Sequence, residues 1–153
     1  MVSREGGVKI LLAEDDDIIR KMIESLLRFH GYDVEGVPNG AAAWNILRRP
    51  DSPRVALLNW MMPGKDGVDI CRAVRASPNL VGRHLILLTS RDSPEFIVEG
   101  LRAGASDYVT KPFDKDELLA RINVGVKIAT LQVELTNRVQ ELEQALAKVK
   151  QLQ

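Results

Sequence analysis

The sequence Val-Lys-Ile-Leu-Leu-Ala at residues 8–13 is a nearly continuous aliphatic run, and three acidic residues follow it directly. Runs of this kind are typical of strands that are buried on both faces of a parallel sheet. Residues 55–58 and 85–88 form two further runs of the same character. Residues 32–36 and 107–110 have weaker strand patterns. The sequence therefore predicts five strands.

Amphipathic helical patterns separate these strands. They cover Asp16 to His30, Asn39 to Arg48, Asp66 to Ala76, Ser93 to Ala103 and a segment that begins near Asp114. Strands that alternate with helices are joined by right-handed crossovers, which gives a parallel sheet with helices on both faces. We therefore expect an α/β fold of the doubly wound type. In such folds ligands bind beyond the carboxyl ends of the strands, where the strand order reverses.

The composition is that of an ordinary globular protein, because 45% of the 153 residues are hydrophobic and 27% are charged. Lys and Arg together number 21, as do Asp and Glu, so no net cationic field indicates nucleic acid or anionic lipid. Cys71 is the only cysteine, which excludes an intrachain disulfide and fits a reducing compartment. No window approaches the ~18 apolar residues of a membrane span. We expect a cytoplasmic protein with no nucleic-acid and no membrane partner.

Polar residues stand where four of the predicted strands end. Glu14 and Asp15 follow the first run, Asn59 follows the third, and Thr89 and Lys111 follow the fourth and fifth. Adjacent carboxylates at such an edge repel one another unless a cation neutralises them, and hard oxygen ligands suit magnesium. A hydroxyl and an ammonium on neighbouring strands supply the donor and the charge that a phosphoryl group needs.

These segments resemble the receiver domain of two-component response regulators, from residue 8 to about residue 126. The resemblance is carried by Ile-Leu-Leu-Ala-Glu-Asp-Asp-Asp at 10–17, Leu-Leu-Asn-Trp-Met-Met-Pro-Gly-Lys-Asp-Gly at 57–67, Leu-Ile-Leu-Leu-Thr-Ser at 85–90 and Gly-Ala-Ser-Asp-Tyr-Val-Thr-Lys-Pro-Phe at 104–113. It implies a flavodoxin-like, five-stranded parallel sheet with the strand order 2-1-3-4-5. It also implies a sensor histidine kinase as a partner.

The resemblance assigns roles to six of these residues and to no catalytic residue. Magnesium would be held by Asp15 directly, by Glu14 through water and by the backbone carbonyl of Met61. Phosphoryl binding and switching would belong to Thr89, Lys111 and Tyr108, the last through the inward or outward position of its ring.

The sequence departs from the family at Asn59, because the resemblance implies an aspartate there as the phosphoacceptor. Receiver domains use a carboxylate oxygen as the nucleophile, and a neutral carboxamide cannot form the acyl phosphate. The loss of one charge also weakens magnesium binding, although the carbonyl oxygen of Asn59 remains a weak ligand. We expect a receiver that is unable to accept phosphate. Asn59 is either the natural residue of a pseudo-receiver or a substitution in an otherwise complete receiver.

Helical periodicity continues to the end of the chain, with no Gly or Pro after Gly125. We divide the chain into a disordered or added N-terminal segment at 1–7, a receiver domain at 8–125 and a helical extension at 126–153. The predicted seam of the extension consists of Ile128, Leu131, Leu135, Arg138, Leu142, Ala145, Val149 and Leu152. This pattern favours a parallel two-stranded coiled coil, and hence a parallel homodimer, over a solvated or frayed tail. Val139 and Leu146 widen the apolar stripe, so packing with other elements is a further alternative.

The predicted function is that of a receiver module, with Asn59 blocking phosphate acceptance and the C-terminal helix passing the signal to an output domain or protein. The alternative is a natural pseudo-receiver that serves as a phosphorylation-independent dimerisation or interaction module. A doubly wound enzyme, such as a flavoprotein or a small hydrolase, is disfavoured because no nucleophile elbow or dinucleotide fingerprint is visible. We expect no enzymatic activity.

Overall fold

The computed structural model describes residues 8–152 and alternates strands with helices as the pattern predicts. The strands are β1 (Lys9–Ala13), β2 (Asp33–Val37), β3 (Val55–Asn59), β4 (His84–Thr89) and β5 (Asp107–Thr110). The helices are α1 (Asp17–Phe29), α2 (Gly40–Leu47), α3 (Gly67–Arg75), α4 (Pro94–Arg102) and α5 (Lys115–Gln151). A short 3₁₀ helix, Pro78–Leu80, precedes β4. The prediction for residues 1–7 lies outside the described residues.

The five strands form one parallel sheet in the order β2-β1-β3-β4-β5, which confirms the predicted topology. All side chains of β3 and β4 are buried, as continuous aliphatic runs at the centre of a covered sheet require. The order of the strands reverses between β1 and β3. The carboxyl ends of these two strands therefore frame the crevice in which we expected a site.

Local sequence sets where the helices begin. The Asp16 carboxylate accepts hydrogen bonds from the first turn of α1, and Asn39 caps α2 in the same way. Asp66 and Asp69 form a reciprocal capping box at the start of α3. Ser93 stands at the N-cap of α4, with Pro94 in the first turn, but its hydroxyl makes no capping bond. These caps place the loops that follow β1, β3 and β4 at one edge of the sheet.

The core has two apolar layers, one on each face of the sheet. Side chains of α1 and α5, such as Leu27 and Ile122, pack on one face. Side chains of α2 and α3, such as Leu47 and Ile70, pack on the other face. The thiol of Cys71 is fully buried in this second layer, and burial raises its pKa to about 12. This cysteine therefore has a structural place in the core.

Helix α5 is much longer than the domain needs, with 37 residues and a length of about 55 Å at ~1.5 Å per residue. Its first part is buried against the sheet as far as Ala129, whereas every described residue from Glu134 onward is exposed. The helix is continuous through residues 125 and 126, so the division of the chain at that point stays a prediction. None of the helices within residues 8–152 is both long and apolar enough to cross a membrane.

Candidate functional site

The predicted site residues meet at the carboxyl edge of the sheet. Glu14 and Asp15 follow β1, Asn59 is the last residue of β3, and Thr89 is the last residue of β4. Lys111 follows β5, and its backbone N–H donates to the Thr89 carbonyl oxygen at 2.8 Å. Because the four strands are parallel and adjacent, their ends bring these side chains from distant parts of the sequence into one crevice.

Lys111 and Glu14 form an ion pair within this crevice. The Lys111 ammonium donates to Glu14 Oε1 at 2.8 Å, and the Glu14 side chain is completely buried. Desolvation raises the pKa of Glu14, and the hydrogen bond from Lys111 acts in the opposite direction. Arg20 also donates to the backbone carbonyl of Glu14, at 2.8 Å. Lys111 thus compensates a carboxylate that would otherwise carry an unpaired charge in the core.

The Asn59 carboxamide is held by two oxygen acceptors. Its Nδ2 atom donates to Asp15 Oδ1 at 3.0 Å and to the backbone carbonyl of Met61 at 2.8 Å. Both N–H bonds of the amide are used, and the Asn59 side chain is almost fully buried. The two oxygens that the resemblance assigns to a cation therefore converge on an amide nitrogen.

This geometry fits a magnesium ion only in part. Asp15 Oδ1 and the Met61 carbonyl are hard oxygen donors, as Mg²⁺ requires. The nitrogen on which they converge is a hydrogen-bond donor, so it repels a cation instead of binding it. Within residues 8–152 no group of three or more His, Cys, Asp or Glu side chains is arranged to hold a metal ion. A cation held by Asp15 Oδ1 and the Met61 carbonyl would have to displace the two hydrogen bonds that Asn59 Nδ2 makes with them.

The Thr89 hydroxyl is tied to the loop that follows β4. Its oxygen accepts a hydrogen bond from the backbone N–H of Arg91 at 3.1 Å, and the Thr89 side chain is buried. The Tyr108 hydroxyl donates to the backbone carbonyl of Arg91. Desolvation raises the pKa of Tyr108. The Tyr108 side chain is half-buried, with its ring against Trp60 and its hydroxyl on the loop that follows Thr89.

The side chain of Arg91 forms a cluster that the sequence did not reveal. Its guanidinium carbon lies 5.4 Å from the Trp60 ring centroid and 4.7 Å from that of Phe96. The Trp60 ring makes edge-to-face contacts with Phe96 and Tyr108, with centroids 5.9 and 6.2 Å apart. We call Trp60, Arg91, Phe96 and Tyr108 the Arg91 cluster. In the sequence, this cluster is indicated only by position: Trp60 follows Asn59, and Arg91 lies two residues after Thr89.

Comparison with known proteins places this crevice in a family context. The chain is 42% identical over 118 residues to the transcriptional regulatory protein CseB of Streptomyces coelicolor, a match that covers 77% of this chain and 49% of that protein. The chain thus spans about half the length of the curated relatives it matches.

Solved structures agree with the fold. The receiver domain of the Francisella response regulator 1452 matches with 34% identity and a TM-score of 0.74, over 79% of this chain and 98% of that chain. The receiver domain of the sensor histidine kinase PA1611 from Pseudomonas aeruginosa matches with 30% identity and a TM-score of 0.69, over 81% and 98%. That structure contains a magnesium ion coordinated in its active-site cleft. The family model of the response regulator receiver domain matches residues 10–123, and this chain belongs to that family.

Proposed function

We propose that this chain is the receiver module of a two-component phosphorelay in a form that cannot accept phosphate, because Asn59 occupies the acceptor position. The observation that carries the proposal is the pair of hydrogen bonds from Asn59 Nδ2 to Asp15 Oδ1 and to the Met61 carbonyl. These bonds direct the amide nitrogen toward the oxygens that the resemblance assigns to the cation. The carboxamide is neutral, so it also offers no anionic oxygen with which to attack phosphorus.

Asn59 cannot replace an aspartate in the transfer step. An aspartate would attack phosphorus with a carboxylate oxygen and form a mixed anhydride. A carboxamide oxygen carries no full charge, and the nitrogen lone pair is delocalised into the carbonyl. Thr89 and Lys111 would still offer a hydroxyl and an ammonium to a phosphoryl group. The module therefore keeps phosphoryl-binding groups without a nucleophile, and we assign it no enzymatic activity and no catalytic residue.

The proposed partners are a sensor histidine kinase and a downstream output domain or protein. The relative in Streptomyces coelicolor is a transcriptional regulatory protein, and this chain matches about half of it. An output partner would thus act beyond the receiver, with the signal passing through α5. That the receiver itself binds neither nucleic acid nor membrane, and that it is cytoplasmic, stay predictions.

We assign the extension at 126–153 to a parallel homodimer. Val126, Ala129 and Val133 face a cavity of ≈ 350 Å³ against the chain's own domain, beside Val8 and Pro53. At about 100° per residue, the exposed apolar side chains of the extension point away from this face. They include Leu131, Leu135, Leu142 and Val149. A helix with one apolar side on its own domain and a second apolar side in solvent has a face left for a partner.

The second candidate function is that of a natural pseudo-receiver, a dimerisation or interaction module that never uses phosphate. The same hydrogen bonds favour it, because Asn59 satisfies Asp15 and the Met61 carbonyl without any ion. The ion pair between Lys111 and Glu14 likewise compensates the buried Glu14 carboxylate without any ion.

A small-molecule phosphodonor tests the proposal. Incubation with acetyl phosphate and Mg²⁺ should leave the intact mass of the native chain unchanged. The Asn59→Asp variant should gain one phosphoryl group that hydroxylamine removes, because it regains the carboxylate nucleophile. Mg²⁺ titration followed by the fluorescence of Trp60 should show tighter binding by Asn59→Asp.

Asn59→Ala is the matched control, since it removes the amide without adding a charge. It should remain unmodified, as should the native chain. A hydroxylamine-labile phosphoryl group on the native chain would show that a group other than residue 59 accepts phosphate, and the proposal would then be wrong.

A further inference from the structure

The exposed part of α5 carries an apolar stripe that differs from the seam predicted from the sequence. The predicted seam placed Arg138 and Ala145 between Leu135, Leu142 and Val149. In the structure Val139 and Leu146 are also exposed apolar side chains on the free part of the helix. Two seams therefore compete, and they share every seventh residue.

Spacing separates the two seams. Leu135, Val139, Leu142, Leu146 and Val149 follow one another at steps of four, three, four and three residues. Such steps average 3.5 residues, the repeat of a left-handed coiled coil. The five side chains lie within an arc of about 80° when each residue turns the helix by about 100°. This stripe contains only aliphatic side chains, whereas the alternative seam contains the guanidinium of Arg138.

Charge distinguishes the seams a second time. If Val139 and Leu146 occupy position a of the heptad, Arg138 occupies position g and Glu143 occupies position e. In a parallel dimer, position g of one helix lies beside the position e that is five residues further along the other helix. Arg138 of one copy then meets Glu143 of the second copy.

The alternative seam offers no such pairing. It would bury Arg138 in the core, where an unpaired charge is strongly unfavourable. Its flanking positions would pair Glu134 with Val139 and Glu141 with Leu146, which are not complementary. The apolar side chains of Val139 and Leu146 would lie at the rim.

The stripe also begins where the domain ends. Gln132 lies against Gly82, and Val133 and Glu134 line the cavity at the base of the sheet. Leu135 is the next residue along α5, and its side chain is 65% exposed. A partner helix can therefore approach from Leu135 onward without displacing any contact of the domain.

We infer that the extension binds a second copy of this chain in parallel through Leu135, Val139, Leu142, Leu146 and Val149, with Arg138 of each copy paired to Glu143 of the other. This inference rests on the parallel homodimer of the proposed function and names its contact surface. It replaces the seam through Arg138 and Ala145.

Disulfide cross-linking of the full chain tests the seam, because the native Cys71 is buried and unreactive. Single variants Val139→Cys and Leu146→Cys should form cross-linked dimers under mild oxidation at least about five-fold faster than Arg138→Cys and Ala145→Cys. The neighbours 138 and 145 are matched controls, since each differs from its test position by one residue. Leu142→Cys belongs to both seams and should cross-link in either case.

The outcomes separate the seam from the dimer. Suppose that Leu142→Cys cross-links efficiently, but positions 138 and 145 cross-link faster than positions 139 and 146, or at the same rate. The proposed seam is then wrong, whereas the parallel dimer is retained. Failure of Leu142→Cys to cross-link overturns the parallel dimer, and the seam with it.

A charge exchange gives an independent test. Arg138→Glu should weaken dimerisation about ten-fold, measured by analytical ultracentrifugation, and the double variant Arg138→Glu/Glu143→Arg should restore it. A double variant that dimerises no better than Arg138→Glu would overturn the pairing of these two residues.

Discussion

Arg91 is the residue at which the site and the surface of α4 are joined. Its backbone N–H and carbonyl bind Thr89 and Tyr108, whereas its guanidinium lies on the rings of Trp60 and Phe96. A cation over the faces of two aromatic rings contributes roughly 1–2 kcal/mol when it is partly desolvated. The loop between β4 and α4 is thus held by contacts that need no phosphoryl group.

The Arg91→Ala variant should lower the free energy of unfolding by about 1 kcal/mol, because it loses the contact with both rings. It should also shift the emission of Trp60 to longer wavelength, since the buried indole gains access to water. Both effects can be measured in a Trp44→Phe background, in which Trp60 is the sole tryptophan. Arg102→Ala, an exposed arginine at the end of α4, is the control. Equal effects of the two substitutions would contradict the role of the Arg91 cluster.

At the scale of single residues, the sequence located the crevice but not its hydrogen bonds. Glu14, Asn59, Thr89 and Lys111 could be placed together because each follows a strand of a parallel sheet. The direction of the Asn59 amide could not be predicted, since it depends on where Asp15 and the Met61 carbonyl lie in space. Side-chain packing between β3, β4 and α4 leaves no local pattern in the sequence.

Helix α5 passes unusually close to β4 at Gly125. A Cβ atom at Gly125 would lie 2.6 Å from His84 Cδ2, well inside van der Waals contact. The His84 ring is buried, and among the described residues its Nε2 atom is the buried side-chain nitrogen without a hydrogen-bond partner. Burial lowers the pKa of His84, which keeps the ring neutral near pH 7. Glycine at 125 therefore lets the helix backbone pack closely against the buried imidazole ring of His84.

The Gly125→Ala variant tests this close packing. Alanine favours a helix over glycine by about 1 kcal/mol, but overpacking of a core costs typically ~1–3 kcal/mol. Because the ring is confined between β4 and α5, we expect a net loss of about 1 kcal/mol in the free energy of unfolding, measured by urea denaturation.

The matched control is the same substitution in a His84→Ala background, where the ring is absent. There Gly125→Ala should stabilise the protein by up to about 1 kcal/mol, through helix propensity alone. A double-mutant cycle without coupling between residues 84 and 125 would contradict the packing argument.

At the scale of elements, the predictions were accurate where a pattern was strong. The aliphatic runs placed β1, β3 and β4 to within one or two residues. The edge strand β2 was predicted one residue early. Its sequence Asp-Val-Glu-Gly-Val has only a weak alternation of apolar and polar residues, so the pattern does not fix the ends of the strand. The close contact between Gly125 and His84 was not predicted, since the two residues lie on different elements and meet only in the folded chain.

At the scale of the whole molecule, a receiver domain carries a projecting rod. Each copy contributes five aliphatic side chains to the seam, and burial of an aliphatic side chain contributes about 1.5 kcal/mol or more. The loss of translational and rotational freedom and the ordering of the seam side chains oppose association. We therefore expect a reversible dimer that dissociates on dilution.

Removal of residues 135–153 should therefore yield a folded monomer. The contacts between α5 and the domain end at Glu134, and the Francisella receiver domain spans a comparable part of the fold. Light scattering at high micromolar concentration should give twice the chain mass for the full protein and the chain mass for the shortened one. Because a partner that binds only the folded state stabilises it, the Tm of the full chain should rise with protein concentration, and that of the shortened chain should stay constant. Equal oligomeric states of the two proteins would contradict the assignment of the rod to dimerisation.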